Sequence, residues 1–263
     1  MSRNYELLRR AGREDLLFGR SSTDSLPDNG HPRLDVARQA SSDSLPNNGH
    51  LRPDLGRQAQ EEVVKLVQRV FVSSNSHAPR AVVFSSVQGN GSSEICSRAG
   101  QVLAAQGSGS VCLVDANLRA PSLHQLLGVG MFPGLADATV KPGPIKDFAM
   151  RIAGGNLWLV PPGWPSADAP SLLASDRLRL RMRELRAQFD YVLIDAPPVS
   201  SYADAVLLGQ MADGAILVVE ANSTRRETAR MAKETFENAR VELLGAILNN
   251  RTFPIPEALY RKL

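Results

Sequence analysis

The chain has 263 residues, enough for one domain of ordinary size plus an extension, or for two small domains. Its net charge of +3, from 30 Lys and Arg against 27 Asp and Glu, is too small to indicate a nucleic-acid-binding protein. Two cysteines exclude a disulfide scaffold and a cysteine-rich zinc site, and no apolar run approaches the roughly 18–20 residues that span a bilayer. We therefore expect a cytoplasmic, globular protein.

The N-terminal part of the chain differs in composition from the rest. Residues 22–40 and 41–59 align residue by residue with 13 identities in 19 pairs, which indicates a tandem duplication. Each copy contains Leu-Pro and Asn-Gly, which form turns, and two polar copies are too few to stack as a solenoid. We predict a flexible extension over residues 1–53, whose first 19 residues could dock on a partner or a membrane surface. A second domain is predicted over residues 54–263.

From residue 54 onward, helical patterns alternate with short apolar runs. A helix is predicted from Asp54, because apolar residues recur at helical spacing at Val63, Leu66, Val67 and Val70. Strands are predicted for AVVFSS, SVCLVDA, NLWLVPP, DYVLIDAPP, GAILVVEA and ELLGAILNN, and helices for residues 94–106, 175–189, 203–211 and 225–239. Apolar runs separated by helices indicate an α/β fold with a mostly parallel sheet and helices on both faces.

A glycine-containing loop follows the first predicted strand. Residues 89–93 read Gly-Asn-Gly-Ser-Ser and precede a helix, an arrangement in which backbone N–H groups and a helix N-terminus bind phosphate. In the P-loop pattern G-x-x-x-x-G-K-[ST], Gly91 matches the second glycine, Ser92 occupies the lysine position and Ser93 supplies the magnesium-binding hydroxyl. The candidate phosphate-binding residues are therefore Gly89, Asn90, Gly91, Ser92 and Ser93.

Two aspartates lie at the ends of later apolar runs, Asp115 and Asp195. Ligands of open α/β sheets bind beyond the carboxyl ends of the strands, so both side chains are expected at the edge that carries the loop. Two carboxylates and a hydroxyl suit Mg²⁺, which makes Ser93, Asp115 and Asp195 candidate metal ligands. The alternative is that each aspartate only caps the helix that follows it.

The order of these motifs is similar to that of a known family. The segments Q-G-N-G-S-S, L-V-D-A-N-L-R-A-P-S-L-H, Y-V-L-I-D-A-P-P-V, A-D-G-A-I-L-V-V and L-G-A-I-L-N-N resemble the bacterial tyrosine kinases of capsule and exopolysaccharide loci, in the MinD/ParA-like branch of P-loop ATPases. The resemblance covers residues 58–250. It implies a P-loop NTPase fold, ATP or ADP and Mg²⁺ as cofactors, and autophosphorylation of tyrosines near the C-terminus. It also implies a separate membrane chain-length regulator or adaptor as partner, which would recruit the chain to the inner face of the membrane, and it leaves a homo-oligomer open.

The resemblance assigns roles to individual residues. The loop of residues 89–93 corresponds to Walker A, Asp115 and Arg119 belong to Walker A′, and Asp195 belongs to Walker B. Asp115 and Asp195 are therefore the candidate catalytic residues. Arg119 and Asn249 are further candidate nucleotide-binding residues, Asn249 because asparagines at the end of the last strand lie near the adenine in the MinD-like branch.

Several positions depart from the family pattern. Ser92 replaces a lysine that neutralises phosphate charge, and Asn117 replaces the second aspartate of Walker A′, although an amide accepts no proton usefully. Glu94 lies in the first helical turn, where an inward-pointing acid would repel phosphate. Tyr260 is the one tyrosine near the C-terminus, and the helix segment E-E-V-V-K-L-V-Q lacks both arginines of the family's oligomer contact. These departures favour a catalytically impaired relative.

Three functions remain open at this point. The chain could be an active or weakly active tyrosine autokinase, a non-catalytic adaptor, or a MinD/ParA-type ATPase. The third is disfavoured, because Val87 occupies the position where that group usually carries an additional lysine. The five arginines between residues 177 and 186 are interpreted as the solvated face of a basic helix, and no nucleic-acid partner is expected.

Overall fold

The computed structural model describes residues 53–72, 78–89, 91–107, 109–130, 132–153, 155–164 and 169–251. The extension predicted over residues 1–53 lies outside the described residues except for Pro53, which begins a helix. Asn90 and the C-terminal segment with Tyr260 also lie outside them. The predictions made for these parts therefore stay predictions.

The described chain alternates strands and helices. The strands are β1 (Ala81–Ser86), β2 (Val111–Asp115), β3 (Met150–Ile152), β4 (Leu157–Val160), β5 (Tyr191–Ala196), β6 (Gly214–Glu220) and β7 (Leu243–Asn249). The α-helices are α1 (Pro53–Val67), α2 (Ser92–Ala105), α3 (Leu123–Leu126), α4 (Leu135–Val140), α5 (Ala169–Leu173), α6 (Asp176–Gln188), α7 (Asp204–Gly209) and α8 (Arg226–Asn238). A π-helical turn (Gln68–Val72) extends α1, and a 3₁₀ turn (Ile145–Phe148) precedes β3.

The strands form one seven-stranded sheet in the order β3-β4-β2-β5-β1-β6-β7. All neighbours are parallel except β3, which pairs with β4 in antiparallel orientation. The six predicted strands and the mostly parallel sheet are confirmed. Strand β3 was not predicted, because three partly exposed residues, Met-Arg-Ile, do not form an apolar run.

Side chains of β1 point alternately to two hydrophobic cores. Ala81 and Val83 belong to a core that includes residues of α4 to α8, whereas Val82 and Phe84 belong to a core formed with α1, α2 and α3. Burying one such valine or phenylalanine side chain contributes roughly 1.5–3 kcal/mol. The two cores confirm helices on both faces and explain why the central strands are mostly apolar and are buried along nearly their whole length.

Helix α1 begins at Pro53, where a proline costs no helical hydrogen bond. Val67 and Phe71 are buried against the sheet, and the Phe71 ring meets the Tyr191 ring edge-on with a centroid distance of 5.8 Å. Both cysteines are buried and free, Cys96 in α2 and Cys112 in β2. Of the helices that the structure describes, none is long and apolar enough to cross a membrane.

The carboxyl ends of β1, β2, β5, β6 and β7 lie at one edge of the sheet, because these strands are parallel. Residues that end or follow these strands therefore share that edge. The glycine loop follows β1, and Asp115, Asp195, Glu220 and Asn249 lie at the ends of the other four strands.

Candidate functional site: a glycine loop beside two buried aspartates

The loop between β1 and α2 has the backbone geometry of an anion site. Gly89 and Gly91 have φ angles of 74° and 115°, in the left-handed region that glycine adopts without strain. The Ser86 hydroxyl donates to the Gly89 carbonyl at 2.9 Å and fixes the turn. Helix α2 begins at Ser92 without a side-chain cap, so the N–H groups of its first turn point at the loop and can bind an anion.

Asn249 lies directly against this loop. A Cβ placed on Gly91 would lie 2.5 Å from Nδ2 of Asn249, so a larger residue would displace the Asn249 side chain, and the φ of 115° by itself favours glycine. The structure therefore brings Asn249, predicted to bind nucleotide, to the glycine loop. Asn90 lies outside the described residues, so its predicted contact stays a prediction.

Asp195 lies beside the start of α2. The Ser93 hydroxyl donates to Oδ2 of Asp195 at 2.6 Å, and the buried Ser92 hydroxyl lies close enough to influence the pKa of this carboxyl. Asp195 is 0% exposed, and its Oδ1 has no hydrogen-bond partner. Burial, followed by the charge of Asp115, raises the pKa of Asp195 to about 8, although both serine hydroxyls act to lower it.

Asp115 pairs in register with Asp195 on the neighbouring strand, β2 beside β5. Its Oδ2 accepts the backbone N–H groups of Ser122 and Leu123 at 3.1 and 3.0 Å. One oxygen of Asp115 thus binds the start of α3, as the capping alternative predicts, whereas the buried Oδ1 has no partner. Burial raises the pKa of Asp115 to about 7, and these backbone bonds partly oppose the rise.

The donor set at this edge fits Mg²⁺. Three buried side-chain polar atoms in the described part of the chain lack a hydrogen-bond partner: Oδ1 of Asp115, Oδ1 of Asp195 and Nδ1 of His124. Two of the three are carboxylate oxygens of residues that are paired in register on neighbouring strands, and such oxygens bind hard cations. No group of three or more His, Cys, Asp or Glu side chains in this part of the chain could hold a metal. The ion would therefore depend on hydroxyl, phosphate or water oxygens for the rest of its shell.

Arg119 is engaged by protein groups at the same edge. Its guanidinium donates to both carboxylate oxygens of Asp204, at 2.9 and 3.4 Å, and lies 4.1 Å above the Tyr202 ring. The Arg119 side chain is 29% exposed, whereas that of Asp204 is buried. The structure thus holds Arg119 in an ion pair with the first residue of α7, and its predicted contact with nucleotide stays a prediction. The residues that orient it, Tyr202 and Asp204, carry no sequence signal by themselves.

The positions that depart from the family pattern have distinct surroundings. Ser92 is buried and faces Asp195. Glu94 is exposed and pairs with Arg98 one turn along α2 at 2.6 Å, so it does not point into the loop. The Asn117 side-chain oxygen accepts the backbone N–H of Ala120 at 3.2 Å and shapes the turn after β2.

Glu220, at the end of β6, is an acidic residue of the site that sequence reasoning missed. A Cβ placed on Gly89 would lie 3.7 Å from its Oε2, and its Oε1 accepts a hydrogen bond from Asn250 at 3.2 Å. The rule that located Asp115 and Asp195 also applies to Glu220, because it ends a predicted apolar run. Glu220 adds negative charge beside the glycine loop.

The basic helix α6 has a structural role. Arg181 donates to the carbonyl groups of Ala138, Lys141 and Gly143 at 2.7–3.0 Å, and Arg177 donates to those of Thr139 and Val140 at 3.1 Å. These carbonyls lie at the C-terminal end of α4 and just beyond it. Arg186, on the same helix, donates to Asp213 at 2.5 Å. Three of the five arginines therefore bond to other parts of the protein, in contrast to the solvated face predicted from the sequence.

The sheet order, the glycine loop and the paired aspartates define the P-loop fold of the MinD/ParA-like class. The alignment with a chain of the MinC:MinD cell division protein complex of Aquifex aeolicus covers 70% of this chain and 72% of that one, with 21% identity and a TM-score of 0.56. The chimerical protein CapA2B2 matches 73% of this chain and 85% of its own length, with 21% identity and a TM-score of 0.69. Both likenesses concern the fold.

No family model matches the chain. The chain is 30% identical over 181 residues to the tyrosine-protein kinase YwqD of Bacillus subtilis, which is 69% of this chain and 76% of YwqD. The protein therefore belongs to the bacterial tyrosine-protein kinase family. It is also 29% identical over 140 residues to the tyrosine-protein kinase wzc of Salmonella typhimurium, of which it spans only 20%.

Proposed function

We propose that this chain is a tyrosine-kinase-like P-loop protein of capsule or exopolysaccharide biosynthesis that binds ATP or ADP with Mg²⁺ and is catalytically impaired. Membership of the family supports nucleotide and magnesium binding in general. The observation that carries the proposal is the contact between the phosphate loop and the Walker B carboxylate. It consists of the 2.6 Å hydrogen bond from Ser93, at the start of α2, to Asp195.

Each group at this edge has a chemical task in the proposal. The glycine loop and the first turn of α2 bind the phosphates through backbone N–H groups. Ser93, Asp115 and Asp195 would hold Mg²⁺, which neutralises charge on the phosphoryl group during transfer. A carboxylate of this pair can also accept the proton of an incoming tyrosine hydroxyl. The predicted acceptor is Tyr260.

Impairment follows from the charges beside the loop. A lysine at position 92 would make charge-assisted hydrogen bonds to the phosphates, and the short neutral hydroxyl of Ser92 cannot replace them. Glu220 brings a carboxylate near Gly89 and opposes phosphate binding further. Arg119, the arginine closest to the aspartates in sequence, is neutralised by Asp204. The proposed site therefore has metal ligands but little positive charge.

Titration with ATP and ADP, with and without Mg²⁺, tests this proposal on the wild-type protein and on Ser92→Lys. We expect weak nucleotide binding to wild type, and roughly ten- to hundredfold tighter binding to Ser92→Lys, because charged hydrogen bonds to phosphate are restored. Gln101→Lys is the matched control, since it adds the same charge to an exposed position on the same helix. Equal affinities of wild type and Ser92→Lys would contradict the loss of the cation as the cause of impairment.

A second candidate function is that of a non-catalytic adaptor. It is favoured by the same two residues, Ser92 and Glu220, since both disfavour a bound triphosphate. The proposed partner is a membrane chain-length regulator of polysaccharide export, which would bring this chain to the inner face of the membrane. If the chain is an adaptor, substitution of Asp195 should leave partner binding unchanged. If assembly with the partner depends on bound nucleotide, the same substitution should abolish it. A MinD/ParA-type ATPase is not proposed, because Val87 replaces the additional lysine of that group.

A further inference from the structure

Strand β7 leaves one edge of the sheet open. It is the last strand in the sheet order and, within the described part of the chain, it pairs only with β6. The backbone N–H of Ala221 donates to the Asn249 carbonyl at 2.8 Å, so Asn249 directs its backbone groups toward β6. Backbone groups of successive strand residues point to opposite sides. Those of Leu248 and Ala246 therefore point outward, where a further strand can bind them.

The same two residues expose apolar side chains. Leu248 is 55% exposed, and Ala246 is exposed as well. Leu248 pairs in register with Val219, which packs against the core on the side of α4 to α8. The uncovered side chains thus lie on that face of the sheet, beside the outward-pointing backbone groups. An exposed apolar edge of this kind is a template for an extended segment.

The residues that follow β7 in the sequence match this edge. Residues 252–257, which lie outside the described residues, read T-F-P-I-P-E. Pro254 and Pro256 are two positions apart and lack N–H groups, so a strand made by this segment can pair on one side only, through Phe253 and Ile255. The prolines would then face solvent and prevent further strands from adding to the sheet.

The chain turns directly after β7. Asn250 has a φ of 55°, in the left-handed region outside the strand conformation. Its side-chain amide donates to Oε1 of Glu220 at 3.2 Å and holds the turn against the end of β6. Because β6 occupies the other side of β7, a hairpin that begins here can place its second strand only along the open edge.

The positions of the prolines select the length of this hairpin connection. A connection of four residues, which is common in hairpins, places Phe253 opposite Leu248. Two residues further along, Ile255 lies opposite Ala246. A connection of three residues would instead place Pro254 opposite Ala246, where the missing N–H costs a hydrogen bond.

We propose that residues 253–255 dock on the open edge of β7 of the same chain as a short antiparallel strand. Each opposed pair exchanges both backbone hydrogen bonds, and the two apolar side chains of the segment cover those exposed on β7. The docked segment runs away from the glycine loop, and an extended chain carries Tyr260 about 17 Å beyond Ile255 toward the opposite edge of the sheet. Only this last consequence, which keeps the predicted acceptor away from the phosphate site, rests on the proposed function.

Backbone amide hydrogen exchange of the full chain, resolved for single residues by NMR and measured without nucleotide, tests the inference. In wild type, the amides of Ala246 and Leu248 should exchange about as slowly as that of Ile247, which points toward β6. Ile255→Pro removes the N–H that faces Ala246, so both outward amides should exchange at least about tenfold faster, with Ile247 unchanged. Ala258→Pro is the matched control, since it adds a proline beyond the docked residues, and it should retain the wild-type rates.

Fast exchange of both outward amides in wild type would overturn the proposal, as would equal rates in wild type and Ile255→Pro. Slow exchange that is lost on dilution would identify a second copy of the chain as the occupant and overturn docking within one chain. Phe253→Asp keeps every N–H group of the segment and places a charge beside Leu248, so it should also release both amides. Unchanged protection in Phe253→Asp would overturn the proposed packing. Because no nucleotide is present, failure of the proposed function would not alter any of these results.

Discussion

At the scale of single residues, the aspartate pair determines what this site can do. A carboxylate that is buried without a cation is destabilising, and the chain retains two of them in adjacent register positions. One oxygen of each is hydrogen-bonded, by the start of α3 in Asp115 and by Ser93 in Asp195. The remaining oxygens are the atoms of the proposed site that are available to a cation. Under that proposal, a bound ion should recover part of the stability that the buried charges cost the empty protein.

The two raised pKa values predict how the stability of the metal-free protein depends on pH. The ordinary value of 3.8 rises to about 7 in Asp115 and to about 8 in Asp195, so the folded state holds more protons than the unfolded state between about pH 4 and pH 8. The free energy of unfolding should therefore fall as the pH rises through this window. Asp195→Asn should match wild type near pH 4 and exceed it by up to about 5 kcal/mol at pH 8, since each unit of pKa difference corresponds to about 1.4 kcal/mol.

Urea denaturation in EDTA at several pH values measures this difference. Asp190→Asn is the matched control, because hydrogen bonds from Ser110 lower the pKa of Asp190. Substitution of Asp190 should reduce stability at pH 8, which is opposite to the effect expected for Asp195→Asn. An Asp195→Asn variant that is less stable than wild type at pH 8 would show that the charged carboxylate is not the source of strain.

At the scale of elements, the basic helix α6 is explained by the short helix α4 that it supports. A six-residue helix leaves its last carbonyl groups without internal partners, and arginines at 177 and 181, one turn apart, supply donors to them. Residues 177–183, R-L-R-L-R-M-R, alternate with a period of two, as residues in a strand do. The sequence of this segment alone therefore does not decide between a strand and a helix. Its structural role depends on a contact between segments about 40 residues apart, which periodicity does not reveal.

Arg181→Ala tests this role. The side chain is 12% exposed and donates to three carbonyl groups, so its loss should lower the free energy of unfolding by about 2–3 kcal/mol. Arg183→Ala removes the same charge from an exposed position of the same helix and should change stability by less than about 0.5 kcal/mol. Thermal and urea denaturation compare the two variants. Equal effects would mean that the charge of α6, rather than its hydrogen bonds to α4, stabilises the fold.

At the scale of the whole molecule, the parallel sheet is what assembles the site. The apolar runs of the sequence predicted six of the seven strands, and the rule for carboxyl ends placed Asp115, Asp195 and the glycine loop at one edge. The same rule could have found Glu220. The pairing of Arg119 with Asp204 and the contact of Asn249 with Gly91 could not be derived from spacing, because they join segments 85 and 158 residues apart in the chain.

Hydrogen–deuterium exchange with saturating MgADP tests this assembly as a whole. We expect slower exchange in peptides that contain the glycine loop, the turn after Asp115, the turn after Asp195 and the end of β7, because a ligand at the carboxyl edge contacts all four. Peptides at the opposite edge, which contain Gly109 before β2 and Asn156 before β4, serve as internal controls and should not change. Protection confined to the opposite edge would place the ligand elsewhere, whereas protection of the glycine loop alone would mean that the aspartate pair and Asn249 take no part in binding.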